Sequence, residues 1–276
     1  MGIITISREL AALGDETAKE LSKRLGWRYV DKWTLEERIR AAGELSGKFE
    51  KYDERKPSFF ASISEDRDEY LHFLKTAILD EAAGGDCIFM GRGAFAVLEG
   101  VPGVLSIFLV SSMKARIARV KSYFHCDEKR AKQLVSQSDN DRSGFHKFFF
   151  EKEWKDPDNY HLTFNTSNLH PELCAELIKG CTQSLFSGPV NDECSIILKD
   201  MSLARKVVHY IRYERKIGVH FLDVTVSCGK ARLHGVANSA LMADTAMAAA
   251  AVVPGISSVQ NDIQIVQEYT VRPYKI

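Results

Sequence analysis

The sequence predicts an α/β protein, a doubly wound parallel sheet followed by a second, smaller α+β domain. Three observations predict it. Short, nearly all-apolar runs at residues 3–6, 87–90 and 104–110 read as strands buried on both faces, as in a parallel sheet. Segments of helical period lie between them, the alternation of a sheet built from βα units. Composition changes near Gly180, and beyond it come a helix, two adjacent strands, an alanine-rich helix and a last strand.

Each element has its own signal. Ile3-Ile4-Thr5-Ile6 opens as a β-branched strand, and a turn-like segment follows at 7–14. Residues 15–25 read as a helix with Ala18, Leu21 and Leu25 on one face and Gly26 as its stop. Tyr29-Val30 is a second short strand ending at Asp31, and a helix is expected over 33–42. Residues 48–64 are polar and aromatic without a period, broken by Pro57. The strongest helix is 66–83, striped by Tyr70, Leu71, Leu74, Ala77 and Ile78 and ended by Gly84-Gly85. Gly91-Arg92-Gly93 closes the strand at 87–90. Helices are expected over 112–123 and 128–135, a short strand over 162–164, and a helix over 171–179 with Pro171 in its first turn. Gly188, Pro189, Asn191 and Asp192 mark a linker, which divides the chain into 1–183, a linker at 184–198, and 199–276. In the tail, a helix is expected over 203–213. Strands 221–226 and 230–236 form a hairpin through Cys228-Gly229, then come a helix over 240–252 and a strand over 256–266.

Composition narrows the function classes. The 276 residues are 45% apolar and 27% charged, enough for an ordinary core. Formal net charge is zero, which disfavours a nucleic-acid partner and leaves room for a local basic pocket around a small phosphate. Cys87, Cys126, Cys174, Cys181, Cys194 and Cys228 show no C-x-x-C spacing, and His125, His146, His161 and His170 show no ligand spacing, so no metal site is expected. The apolar-rich stretch 246–253 is far shorter than a membrane span, and the first strand has no basic flank or leader-like run. The expectation is a cytoplasmic protein with no transmembrane segment.

The first loop carries chemistry. Strand, tight loop and helix N-terminus make a cradle for an anion, because unpaired N–H groups and the helix dipole favour negative charge there. Ser7, Arg8, Gly14, Asp15, Glu16 and Thr17 occupy that place. Against the pattern G-x-x-x-x-G-K-[ST], Gly14 is the second glycine and Thr17 lies near the hydroxyl position, while Asp15 stands where lysine is wanted and Glu16 follows. Two carboxylates in a first turn also suit an ordinary helix, so a plain βα turn stays open beside the phosphate cradle. Arg8 is placed to supply the cation the loop lacks. Further signals fall at strand ends or on the next helix, the edge where open α/β sheets bind ligands: Asp31, Arg92, Arg116 with Arg119, and Asp139 with Arg142. Several guanidinium groups around one phosphoryl group are what phosphoryl transfer uses.

Through Ile3-Ile4-Thr5-Ile6-Ser7-Arg8-Glu9, Tyr29-Val30-Asp31-Lys32, Gly91-Arg92-Gly93, the helix at 112–119, Asp139-Asn140-Asp141-Arg142 and residues 160–169, the chain resembles the cytidylate-kinase-like family of P-loop nucleoside-monophosphate kinases. The resemblance implies a P-loop-kinase sheet and transfer of the ATP γ-phosphate to CMP or dCMP with Mg²⁺. It implies that Arg92 holds the acceptor phosphate, Asp31 edges its pocket, Asp139 and Arg142 contact the acceptor, and Arg116 and Arg119 lead into a lid over 123–150. Arg8, Arg119 and Arg142 are then the catalytic candidates. The lysine position and the residues Ala11, Ala12 and Leu13 depart from the family's glycine-rich loop, which raises a second reading, a nucleotide-binding regulator. The segment 51–57 is family-like without assigned roles. The tail is similar to a BON domain through Asp223-Val224-Thr225-Val226, Gly229 to Val236, and 240–263. That implies binding of a membrane surface, ligand or protein partner, with Lys206, Arg212, Arg215 and Lys216 as a candidate basic face.

Overall fold

The computed structural model describes residues 2–41, 65–186 and 189–266. The sequence features expected within 42–64, including 51–57, lie outside the described residues. The chain divides into two compact units, Met1–Ser195 and Ile196–Ile276.

In the first unit, β1 (Ile3–Arg8), β2 (Arg28–Val30), β3 (Cys87–Met90), β4 (Val104–Val110) and β5 (Leu162–Asn165) form one sheet in the order β2-β3-β1-β4-β5. Every pairing is parallel. The helices are α1 (Gly14–Leu25), α2 (Lys32–Ala41), α3 (Glu65–Ala83), the four-residue α4 (Ala94–Val97), α5 (Met113–Phe124), α6 (Glu128–Phe150) and α7 (Pro171–Leu185). Ile4, Ile6, Ile88, Leu105 and Ile107 cluster with Ala18 and Leu21 of α1 and Ala175 and Ile178 of α7. Phe108 instead stacks on Tyr160 at 4.9 Å and meets the buried Trp154 edge-on. Covering a sheet on both faces is what makes its strands read as unbroken apolar runs.

Two expected boundaries move. The helix expected over 128–135 runs on to Phe150. Ser138-Asp139-Asn140-Asp141 are weak helix formers, but Ala131, Val135, Phe145 and Phe149 are all buried along the helix, and tertiary burial overrides local propensity. Of the residues expected as a linker, 184–198, those at 184–185 end α7 and those at 189–198 lie in α8 (Pro189–His209). Pro189 and Asp192, read as breakers, are instead helix-start residues: proline suits the first turn and a carboxylate there meets the dipole.

The second unit has β6 (His220–Ser227) antiparallel to β7 (Lys230–Ala237), and β8 (Ser258–Ile265) parallel to β7 after the crossover helix α9 (Ala240–Ala251). Its core gathers Val207, Ile211, Val224, Leu233, Ala246 and Ala250. The hairpin turns on Cys228 at φ 48° and Gly229 at φ 77°, the paired left-handed residues a two-residue hairpin requires. A Cβ on Gly229 would lie 2.8 Å from the Gly255 carbonyl oxygen. Gly229→Ala is therefore expected to destabilise this unit by about 2 kcal/mol, from left-handed strain and the contact together. Denaturant titration checks it, and an unchanged midpoint would refute it.

No helix among the described residues is long and apolar enough to cross a membrane. The six cysteines are free, and burial pushes the Cys87 thiol up to about 12, out of reach of thiolate chemistry near neutral pH.

Candidate functional site

The loop between β1 and α1 is built to turn its carbonyls toward protein donors. Arg116 Nε donates to Leu10 O at 2.8 Å, Arg119 Nη1 to Ala11 O at 2.9 Å, and Thr166 Oγ1 to Ala12 O at 3.1 Å. Thr17, fully buried, donates its hydroxyl to Leu13 O at 2.7 Å. Four successive carbonyls are thus satisfied by side chains from α5, the tip of β5, and α1. The N–H groups of Leu13, Gly14, Asp15 and Glu16, at the start of α1, meet no acceptor among the described residues. That is the donor cluster an anion fits.

The loop reaches this shape through left-handed residues, Ala11 at φ 59° and Leu13 at φ 58°. Such a conformation costs a residue with a Cβ about 1–2 kcal/mol, so the curvature is imposed by the ties from α5 and β5 rather than by glycine. Gly14 is needed for a different reason. A Cβ there would lie 2.6 Å from Cγ of Arg8, so the Arg8 stem rests directly on the helix start. Asp15 Oδ1 accepts from the Tyr29 hydroxyl at 3.1 Å. Burial first, then the charges of Asp15 and Asp31, push the Tyr29 phenol well above its ordinary value, so it stays a donor. Burial lowers the Arg119 pKa, and the nearby Glu16 carboxylate offsets that only in part. Ser7 is buried at the end of β1.

Beside the loop stands a compact charge cluster. Glu9 Oε1 forms an ion pair with Arg116 Nη1 at 3.1 Å and accepts from Lys155 Nζ at 2.8 Å, and its Oε2 accepts from Ser111 N at 3.1 Å. Asp139 accepts from both Arg116 Nη atoms, at 3.0 and 2.5 Å, and from Lys155 at 3.0 Å. Burial pushes the Asp139 carboxyl up, but the hydrogen bonds from Arg116 and Lys155 win and hold it below the usual carboxylate range. Two cations and two carboxylates balance here, the condition on which buried charges are tolerated.

The remaining candidates separate. Arg119 completes its contacts at Thr166 O, 2.6 Å away, bridging the loop and the tip of β5. Arg92 sits in Gly91-Arg92-Gly93, three consecutive left-handed residues at φ 71°, 56° and 71°. That turn buries its guanidinium against Glu36 Oε1 at 3.1 Å and Tyr70 Oη at 3.4 Å. Asp31 caps α2, accepting from Thr34 N at 3.0 Å and its hydroxyl at 3.2 Å. Arg142 donates to Ser138 one turn back on α6. The structure therefore brings Arg8, Gly14, Asp15, Glu16, Thr17, Arg116 and Arg119 to one loop, with Asp139 joined through Arg116. It sets Arg92 in a separate polar nest with Glu36 and Tyr70. Glu9 and Thr166, which lie in stretches that carry the resemblance but had no role assigned, belong to the site together with Ser111 and Lys155.

A cavity of about 330 Å³ lies beside the cluster, lined by Asp139, Asn140, Ser143, Trp154 and Lys155. A larger one, about 500 Å³, opens at the other sheet edge among Phe95, Val104, Tyr160, His161 and Phe186, where β4 and β5 begin and the loop is remote.

A model of the cytidylate kinase-like family matches residues 3–168, and a model of the BON domain matches residues 199–267. Among solved structures, an uncharacterized protein from Eubacterium ventriosum is 20% identical over 67% of this chain and 99% of its own, with a TM-score of 0.53. That likeness supports the fold of the first unit. A shikimate kinase from Acinetobacter baumannii, in complex with shikimate, is 13% identical over 67% of this chain and 94% of its own, at a TM-score of 0.39. One from Bacteroides thetaiotaomicron is 13% identical over 66% and 98%, at 0.42. No curated protein matches the chain.

Proposed function

The chain belongs to the cytidylate kinase-like family and carries a BON domain, and on that premise we propose that its first unit binds ATP and phosphorylates a pyrimidine nucleoside monophosphate, CMP or dCMP. The observation that carries the reading is the loop. With carbonyls 10–13 bonded to side chains, the N–H groups of residues 13–16 fit the phosphate chain of a nucleotide. Thr17 does not fit a metal ligand, since its side chain is fully buried, so no step is assigned through Mg²⁺.

ATP, when bound, supplies the phosphoryl group, whose bond to the bridging oxygen breaks as the bond to the acceptor's phosphate oxygen forms. In this reading the backbone of 13–16 holds the phosphates, and Arg8, resting on Gly14, adds a cation there. Arg92 receives the acceptor's phosphate. Its burial beside Glu36 and Tyr70 supports this, because a guanidinium fixed in a rigid left-handed turn needs little reorganisation to bind. Arg119 and Arg116 hold the loop from behind. Asp31, Asp139 and Arg142 border the acceptor side.

A second reading, nucleotide binding without turnover, is favoured by one observation: Asp15 stands in the lysine's place and is held there by Tyr29. One assay separates the two. ADP release from ATP is expected to depend on added CMP or dCMP. Saturable ATP binding by calorimetry with no ADP above background would replace the kinase by the sensor, and no binding at all would remove both.

A further inference from the structure

We propose that Lys155 joins Arg8 in standing in for the lysine missing from the loop: held in this structure by Glu9 and Asp139, its ammonium turns onto the terminal phosphate of a nucleoside triphosphate seated on the N–H groups of residues 13–16. The inference rests on the nucleotide reading above. Lys155 follows α6 in the chain, 146 residues from Glu9, yet its Nζ lies 2.8 Å from the carboxylate of the residue that opens the loop.

The cluster's two cations differ in freedom. Arg116 is buried, its side chain 3% exposed, and is fixed by contacts to Leu10 O, Glu9 and Asp139. The Lys155 side chain is 47% exposed and borders the 330 Å³ cavity, so it is the member with room to move. A lysine is a compact charge with three rotatable donors on a flexible stem, suited to following a phosphate through a reaction. Its ammonium lies over the ring of Trp154, 5.4 Å from the centroid, and Trp154 is fully buried, which gives it a rigid base. Burial lowers its pKa, but the hydrogen bonds to Glu9 and Asp139 outweigh that and raise it, so the group arrives protonated.

Departure is tolerable for the partners left behind. Glu9 keeps Arg116 and the Ser111 N–H, and Asp139 keeps the two-pronged contact with Arg116. Neither carboxylate is orphaned, the condition under which breaking a buried pair becomes costly.

The test uses the full chain. Lys155→Met keeps the stem on Trp154 and removes the charge, and Lys155→Arg keeps a cation. Calorimetry with ATP and with ADP, CMP-dependent turnover, and thermal unfolding are measured for each. Lys155→Met is expected to weaken ATP by about 10-fold while ADP moves less than about twofold, and to slow turnover by about 10²-fold where the wild type turns over. Lys155→Arg is expected to recover most of both. A purely structural lysine would leave the ATP-to-ADP ratio unchanged, and that outcome in a folded Lys155→Met protein overturns the inference while the nucleotide reading stands. Wild-type protein that binds neither nucleotide ends both. Lys155→Gln, which retains donors to Glu9 and Asp139 without charge, repeats the comparison should the methionine lower the melting temperature.

Discussion

Arg116→Ala is expected to destabilise the first unit by about 3–5 kcal/mol and lower its melting temperature by roughly 10 °C. The side chain is buried and makes four polar contacts: two to Asp139, one to Glu9 and one to Leu10 O. Removing it leaves two largely buried carboxylates sharing Lys155, a half-exposed cation. Lysine at 116 is expected to recover less than half the loss, because one ammonium cannot span Asp139 with two parallel bonds and also reach Leu10 O. The pH dependence has a definite sign. Asp139 is held below the usual carboxylate range in the folded protein, so its stabilisation is present above the unfolded value near pH 4 and fades as pH falls through the lower folded value. The gap between wild type and Arg116→Ala is therefore expected to be widest near pH 7 and to narrow below pH ~4. Circular-dichroism melts at a series of pH values check both. Equal melting temperatures at pH 7, or a gap that widens in acid, would show that the cluster does not carry the loop.

The same cluster marks where reading the sequence stops. The strands were legible because a sheet covered on both faces demands unbroken apolar runs, and β3 and β4 fall at 87–90 and 104–110 as expected. Gly91-Arg92-Gly93 was legible as the end of β3, whereas the left-handed conformation of all three residues, Arg92 included, was not. The facing of Arg116 and Arg119 followed from helical spacing. What they face did not. Their guanidinium groups reach the backbone of a loop more than a hundred residues earlier, and only packing puts α5 beside it. The second half of α6 was hidden for a related reason. Asp139 is a weak helix former whose side chain is satisfied by Arg116, a partner that a local pattern cannot reveal. Lys155 is the extreme case. It sits in a polar stretch after Trp154, and its place beside Glu9 exists only in three dimensions.

The loop itself makes the second large expectation. Asp15→Lys is expected to tighten ATP by at least about 10-fold and, where turnover occurs, to raise it by about 10²-fold. Asp15 lies in the first turn of α1, next to the open N–H groups of 13–16, so its carboxylate competes with any phosphate for the same positive field. Replacing it reverses the local charge by two at that point. The helix loses a favourable first-turn acid and the Tyr29 hydroxyl loses its acceptor, together a cost of about 1–2 kcal/mol in stability. A lysine there must reach past Glu16, which remains, and Arg119 already neutralises part of that charge. Asp15→Asn isolates the two contributions. It removes the repulsion without adding a cation, and is expected to give only a fraction of the gain in affinity and little in turnover. Raising ionic strength should shrink the advantage of lysine, as screening weakens a partly exposed charge. If a folded Asp15→Lys protein binds ATP no more tightly than the wild type at low salt, the donors at the start of α1 do not seat a phosphate. The carbonyl ties behind them then serve only to hold a strained βα turn.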